Sequence, residues 1–281
     1  MISRAKGGAR SFTRTVICAD KIWSLLPARA RKANYLHVQR RERERVAAKE
    51  AAAKIERRGV VLDGPFAGML FSSAETRGSA HFPRLLGCYE SELHETVRTF
   101  SHREYSAIVD IGFAEGYYLV GLGLINKKAL LIGFDTDPVA HRQCRALAEK
   151  NGIGAARLIL HGEFSHQLAA SCLPAQSLVI CDCEGFEINI FNDKFQALWQ
   201  QSDLIIECHD FLREGISSEL IGRLESTHTV KIVRTNSDDV RISFTQRPEL
   251  SVLALEDRAE LVSEGRPAAQ IWIIAEPKLA N

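Results

Sequence analysis

Ala107-Ile108-Val109-Asp110-Ile111-Gly112-Phe113-Ala114-Glu115-Gly116-Tyr117-Tyr118 is the stretch that decides how this chain is read. An apolar run ends at a carboxylate and a glycine-containing turn, and a helical segment follows. That pattern predicts a strand buried on both faces feeding a helix. Glycines at such a turn let the backbone bend sharply and let a ligand approach the main chain. The spacing is G-x-x-x-G rather than the G-x-G-x-x-G dinucleotide fingerprint, so a nicotinamide cofactor is the poorer reading. A glycine pair after a strand also serves as a plain turn, and other positions must decide between the two.

The same alternation continues downstream. Ala129 to Phe134 predicts a second strand, and Asp137-Pro138 an N-cap and first-turn proline for a helix through Lys150. Arg157–Leu160, Ser177–Cys181 and Leu204–Glu207 read as further strands with helices between them. Strands alternating with helices predict a doubly wound, mostly parallel α/β sheet covered on both faces. In the tail, Val230–Val233, Val240–Phe244 and Gln270–Ile274 read as edge strands, the last two as an antiparallel pair. Upstream, Gly59–Leu62 reads as a short strand before an Asp63-Gly64-Pro65 turn. Glu90–Phe100 carries Leu93, Val97 and Phe100 at helical spacing.

Carboxylates gather at the predicted strand ends. Asp135 ends the second strand, 25 residues after Asp110. A carboxylate there can accept both vicinal hydroxyls of a ribose. Asp182-Cys183-Glu184-Gly185-Phe186-Glu187 follows the fourth strand, and Glu207-Cys208-His209-Asp210 the fifth. Carboxylates this crowded either shift their pKa values for acid–base work or bind cations and donors. Asp182, Glu184 and His209 are the candidates for catalysis, with His209 the better base near neutral pH. Asp182, Glu207 and Asp210 offer oxygen ligands that suit Mg²⁺. A zinc site from Cys181, Cys183, Cys208 and His209 is geometrically awkward, because Cys208 and His209 are adjacent and diverge.

Together these residues resemble FkbM-type class I S-adenosylmethionine (SAM)-dependent methyltransferases. Asp110-x-Gly112-x-x-x-Gly116-Tyr117, the acid Asp135, Asp182-x-Glu184-Gly185-x-Glu187 and the strand ending in Glu207 carry the likeness. It covers residues 59–278, with Gly64–Met69 and Leu85–Glu90 included. It implies a Rossmann-like sheet of seven strands ordered 3-2-1-4-5-7-6. It also implies SAM as cofactor, held by Asp110, Gly112, Gly116, Tyr117 and Asp135, with Glu163 on the adenine side. Asp182 would face the transferred methyl. The acceptor expected is a small molecule or sugar with a hydroxyl oxygen. The alternatives are a nucleic acid or protein acceptor, or a SAM-binding module without catalysis. Against the last stands the crowding of carboxylates, which a mere binding module does not need.

Charge divides the chain at the same place. Residues 1–58 hold 16 Lys and Arg against 5 Asp and Glu, and the rest 20 against 30. Residues 1–58 therefore read as a basic helical arm and 59–281 as the methyltransferase domain. Such an arm attracts polyanions, nucleic acid among them, or is simply a solvated face. Residues 1–26, acid-free until Asp20, resemble an organellar transit peptide. No apolar run suffices for a membrane span. Seven cysteines spread along the chain argue for reduced thiols and a cytoplasmic setting.

Overall fold

The computed structural model describes residues 28–71, 80–244, 246–251, 253–266 and 268–278, so the transit-like segment lies outside the described residues. Helix Ala28–Arg58 is built of strong helix formers, and Arg40 pairs with Glu44 one turn on at 2.7 Å. The chain divides into two compact units within this helix, between Glu50 and Ala51. Ala51 and Ile55 are buried. Among the described residues no helix is long and apolar enough to cross a membrane.

The second unit is a seven-stranded α/β sheet in the order β3-β2-β1-β4-β5-β7-β6. The strands are β1 Ala107–Ile111, β2 Leu130–Phe134, β3 Leu158–His161, β4 Leu178–Cys181, β5 Asp203–Cys208, β6 His228–Arg234 and β7 Ile271–Pro277. The first five run parallel, and β7 is antiparallel to both neighbours. Building proceeds from β1 to β3 on one side, then resumes at β4 on the other. That reversal opens a crevice at the carboxyl ends of β1 and β4. Asp110 pairs in register with Gly133 on one side and Ile180 on the other, which aligns the strand ends along the crevice.

One core cluster contains Val109, Ile132, Phe134, Val179, Leu204, Ile206, Trp199 and Ile273, all essentially inaccessible to water. Each such side chain stabilises the fold by about 1.5–3 kcal/mol. Helix Tyr117–Ile125 packs on β1 and β2, and helix Ile216–Leu224 on β6 and β7.

Two local expectations are corrected. Val240–Phe244 is helical, within Asp238–Phe244, and the antiparallel partners of β7 are β5 and β6. Alternating Val240, Ile242 and Phe244 mimic a strand, but Asp238 and Asp239 in the first turn favour a helix. Arg241 on that helix is buried and pairs with Asp238 and Glu264, each at 2.8 Å. Gly59–Leu62 forms only the single bridge Val60–Leu70, because the turn at Asp63-Gly64-Pro65 reverses the chain at once. Leu93, Val97 and Phe100 are buried as expected, on a 3₁₀ turn Ser91–Leu93 and helix His94–Ser101.

Asp137 accepts from the Val139 N–H at 2.8 Å, with Pro138 in the first turn of helix Pro138–Lys150. Asp137→Ala removes this cap. It is expected to cost about 1 kcal/mol and to lower the calorimetric Tm by about 2–4 °C.

Candidate active site

A cavity of about 490 Å³ opens at the carboxyl ends of β1, β2 and β4. Gly112, Ala114, Asp135, Glu163, Phe164 and Asp182 are in its wall. The turn after β1 has one feature that only glycine permits. Gly112 has φ +88°, and a Cβ there would stand 1.8 Å from the Asp182 carbonyl oxygen. The two strand ends therefore touch through bare backbone. Gly116, at φ +91°, leads into helix Tyr117–Ile125, and a Cβ there would meet the Cys144 sulfur at 2.6 Å.

Between the glycines, Ala114 adopts φ +47°. Its N–H donates to Asp135 Oδ2 at 2.9 Å, and the Asp137 N–H donates to Oδ1 at 2.8 Å. Two backbone donors thus fix the Asp135 carboxylate at the cavity wall while lone pairs remain for a ligand. Glu163 lies on the same wall, beyond β3. Asp110 is buried and does not reach this cavity; it borders a smaller one across the turn, as does Tyr117. Burial, then the charges of Asp182 and Asp135, push the Asp110 carboxyl well above its usual range. Tyr117 packs edge-on against Phe66, Phe71 and Tyr89.

The loops after β4 and β5 bring the three catalytic candidates together. His209 is 1% exposed, with Nε2 3.5 Å from Asp182 Oδ1 and 3.5 Å from Glu184 Oε2. Its Nδ1 donates to Glu187 Oε1 at 2.8 Å. Glu187 is fully buried at the start of helix Glu187–Ile190, and the same oxygen accepts from the Gly185 and Cys183 N–H groups. Its role went unread in the sequence, where it counted only as one more carboxylate.

Burial pulls the His209 pKa down, but the Glu187 bond and the charges of Asp182, Glu187 and Glu184 hold it above its ordinary value. Burial likewise pushes Glu187 up, and His209 with the backbone donors brings it below the usual carboxylate value. The ring is therefore held with a proton on Nδ1 and with Nε2 turned to the carboxylates.

Glu207, at the end of β5, is buried and pairs with Arg266. Arg266 also binds Glu90 at 2.7 Å and Glu264 at 2.6 Å. Burial, Asp182 and Glu90 outweigh Arg266 and hold the Glu207 carboxyl far above its usual range. Neither Arg266 nor Glu90 belongs to a strand-end motif, and their pairing across 176 positions leaves no local signal.

The expected Mg²⁺ ligands do not assemble. Asp210 Oδ1 accepts from the Ser217 N–H instead, and His209 takes its place beside Asp182 and Glu207, with ligand atoms within 4.8 Å of one another. One imidazole and two carboxyl groups, one already paired with Arg266, do not fit an ion that demands an oxygen shell. Cys181 and Cys183 face one side, with sulfurs 3.5 Å apart. Cys208 is buried with its thiol towards the Ile206 carbonyl, and His209 is committed to Glu187, so the zinc set is not collected. The six described cysteines are free.

Among solved structures, the chain is similar to the O-methyltransferase TomG of Streptomyces achromogenes, solved with SAM. Identity is 10% over 68% of this chain and 81% of that one, with a TM-score of 0.46. An rRNA methylase of Streptococcus thermophilus shares 11% identity over 66% and 97% of the two chains, with a TM-score of 0.44. A ribosomal protein L11 methylase of Lactobacillus delbrueckii gives 11%, 68% and 80%, with a TM-score of 0.43. At these values the likenesses add nothing to the strand order, which by itself matches the Rossmann-like sheet expected. No protein-family model and no curated protein matches the chain.

A proton bound more tightly in the folded state stabilises it at low pH. The His209 contribution is therefore full below the unfolded value near 6.5 and is lost as pH rises through the higher folded value. Glu187→Gln should lower the His209 midpoint, read from the imidazole resonances in an NMR titration. A midpoint that does not move would show that Glu187 does not hold the ring's charge.

Proposed function

We propose that this protein is a SAM-dependent methyltransferase of FkbM type that methylates a hydroxyl oxygen of a small molecule or sugar. The observation that carries the reading is the meeting of Asp182, Glu184 and His209 beside a cavity whose wall also presents Asp135. Residues 59–281 hold this machinery, and residues 1–58 are an arm outside it.

The large cavity would take the adenosyl part of SAM. Asp135, already oriented by two N–H groups, would accept from the ribose hydroxyls, with Glu163 and Phe164 on the adenine side. Gly112, Gly116 and Asp110 would line or support the path to the methionine part. Bound SAM supplies a methyl on a sulfonium, reactive enough to need alignment more than activation.

The protein's own residues handle the acceptor's proton. A hydroxyl hydrogen-bonds to His209 Nε2 and passes its proton there as oxygen attacks. Glu187 keeps the other ring proton on Nδ1 and stabilises the imidazolium that forms. Asp182 and Glu184 flank the same nitrogen. Glu184 is 78% exposed and offers the proton a way to solvent.

Titration calorimetry with SAM, then mass-spectrometric product detection across a panel of hydroxylated small molecules, tests the reading. Binding without turnover on any acceptor would favour a binding module. A second reading, a nucleic acid acceptor recruited by residues 1–58, rests on their charge of +11. It requires an RNA association of the full chain that weakens steeply with salt.

Asp182→Asn should lower kcat by about 10²–10⁴-fold, with SAM affinity changed by less than about tenfold. Asp135→Ala should do the reverse and weaken SAM binding by about ten- to a hundredfold, because charge-assisted bonds are lost. The base is His209 with a raised pKa, so kcat/KM should rise with pH through a midpoint above 6.5. A flat profile from pH 5 to 9 would remove His209 as the proton acceptor.

A further inference from the structure

Asp182, whose carbonyl oxygen packs against Gly112, is flanked in the chain by two thiols. Cys181 ends β4 and is buried in the core cluster, whereas Cys183 is half-buried and belongs to the wall of the large cavity. Residues two apart on an extended chain share a face, and these sulfurs stand 3.5 Å apart. A disulfide needs about 2.05 Å, so the pair has only to close by roughly 1.5 Å.

The two thiols are unequal. Burial, then the Cys183 sulfur, push the Cys181 thiol well above its ordinary value, so it keeps its proton and can point it at Cys183. Of the two, only Cys183 borders the cavity and retains exposed surface. An accessible sulfur that reacts first, beside a thiol that resolves the product, is the arrangement of an oxidisable pair.

We propose that Cys181 and Cys183 form a thiol modification site, which hydrogen peroxide converts to a disulfide that moves the cavity wall and weakens cofactor binding. The Cys183 sulfur attacks the peroxide: a sulfur–oxygen bond forms, the oxygen–oxygen bond breaks, and the departing oxygen leaves with a proton as water. The Cys181 sulfur then attacks the resulting sulfenic acid. The sulfur–sulfur bond forms, and the hydroxyl leaves with the Cys181 proton as a second water. Both thiols are oxidised and one peroxide is reduced.

Movement on closure falls on the Cys183 side. Cys181 is locked in the sheet beside Ile111, and Asp182 is held by its N–H bond to the Ile111 carbonyl at 2.9 Å. Cys183 lies past the strand, and its N–H makes only a long bond, 3.3 Å, to Glu187 Oε1. Its carbonyl accepts from the Phe186 N–H at 3.2 Å, across the turn at Glu184 and Gly185. Drawing Cys183 towards Cys181 therefore shifts this turn, the cavity wall and the Glu187 carboxylate that holds His209. A bridge across so short a loop is strained, and a dithiol reductant returns it to thiols. The effect on binding rests on the cofactor reading above; the bond itself does not.

The full chain can be titrated with hydrogen peroxide and each cysteine read by differential alkylation and mass spectrometry, before and after dithiothreitol. Cys181 and Cys183 should be oxidised together and recovered together, ahead of the half-buried Cys172. By calorimetry, S-adenosylhomocysteine should bind at least about tenfold more weakly to the oxidised protein and regain its affinity on reduction. The midpoint of the His209 imidazole in an NMR titration should move with it. Cys183→Val, or the smaller change Cys183→Ser, removes the first sulfur, and each variant should bind the probe equally before and after peroxide. Loss of affinity on peroxide in those variants would place the oxidation elsewhere and overturn the proposal. Cys183 carried to sulfinic acid with the Cys181 thiol intact does the same, as does a disulfide that changes neither the affinity nor the His209 midpoint. Reduced protein that binds no S-adenosylhomocysteine overturns the cofactor reading instead, and joint oxidation with the His209 shift then decides this inference.

Discussion

The Asp182 carbonyl oxygen occupies the space that a side chain at position 112 would need. That contact joins the ends of β1 and β4 at the point where the sheet changes its direction of building. Two backbone bonds tighten it: the Asp182 N–H donates to Ile111, and the Gly112 N–H to Phe134, at 2.9 and 2.8 Å. Three strand ends are thus locked by main chain alone. The side chains of Asp110, Asp135 and Asp182 inherit fixed positions from that lock. The side chains around the crevice can then be held to a fraction of an ångström without large groups crowding it.

With the backbone fixed, the remaining problem is charge. Carboxylates crowd one end of the sheet, and water can solvate only the exposed ones, of which Glu184 is an example. Most of the buried ones have a partner of opposite sign. Glu187 has His209, Glu207 and Glu90 share Arg266, and Glu115 has Arg84. Among the described residues Asp110 forms no ion pair, and burial, then the charges of Asp182 and Asp135, push its carboxyl well above the usual range. Breaking any one pair leaves a buried charge uncompensated, which is far costlier than the pair's net contribution. The partners come from segments distant in sequence, so this electrostatic frame also fastens the flanking segments to the sheet.

That division explains what could be read from the sequence. The strands, the Asp137 cap and the placing of Asp135 are local consequences of period, turn chemistry and position along the chain. The meeting of Asp182, Glu184 and His209 also followed, because two neighbouring strands end in those residues. Arg84, Arg266 and Glu90 could not be found that way. Their partners lie 31, 59 and 176 positions off, and nothing in the residue types nearby marks them. Val240–Phe244 misled for the opposite reason. Its alternation was a true local signal, overridden by the pairs that the buried Arg241 makes with Asp238 and with the buried Glu264.

Backbone strain gathers around the cavity and the charged cluster beside it. Of the four non-glycine residues with positive φ among the described residues, Ala114 sits in the glycine turn, Glu184 beside His209, and Glu90 on Arg266. Such conformations cost of order 1–3 kcal/mol each and persist only where surrounding contacts hold them. At Glu184 the next residue, Gly185, also has positive φ, and together they fold the loop back so that Glu187 receives its N–H bonds. The same loop exposes Phe186, and the loop after β5 exposes Phe211 and Leu212, an apolar rim beside the polar cluster. A Cβ on Gly185 would touch Leu212 at 3.5 Å, so the two loops are in contact. The backbone that orients Glu187 and, through it, His209 is therefore also the backbone that carries this apolar rim. A change in one loop would shift both the polar cluster and the rim.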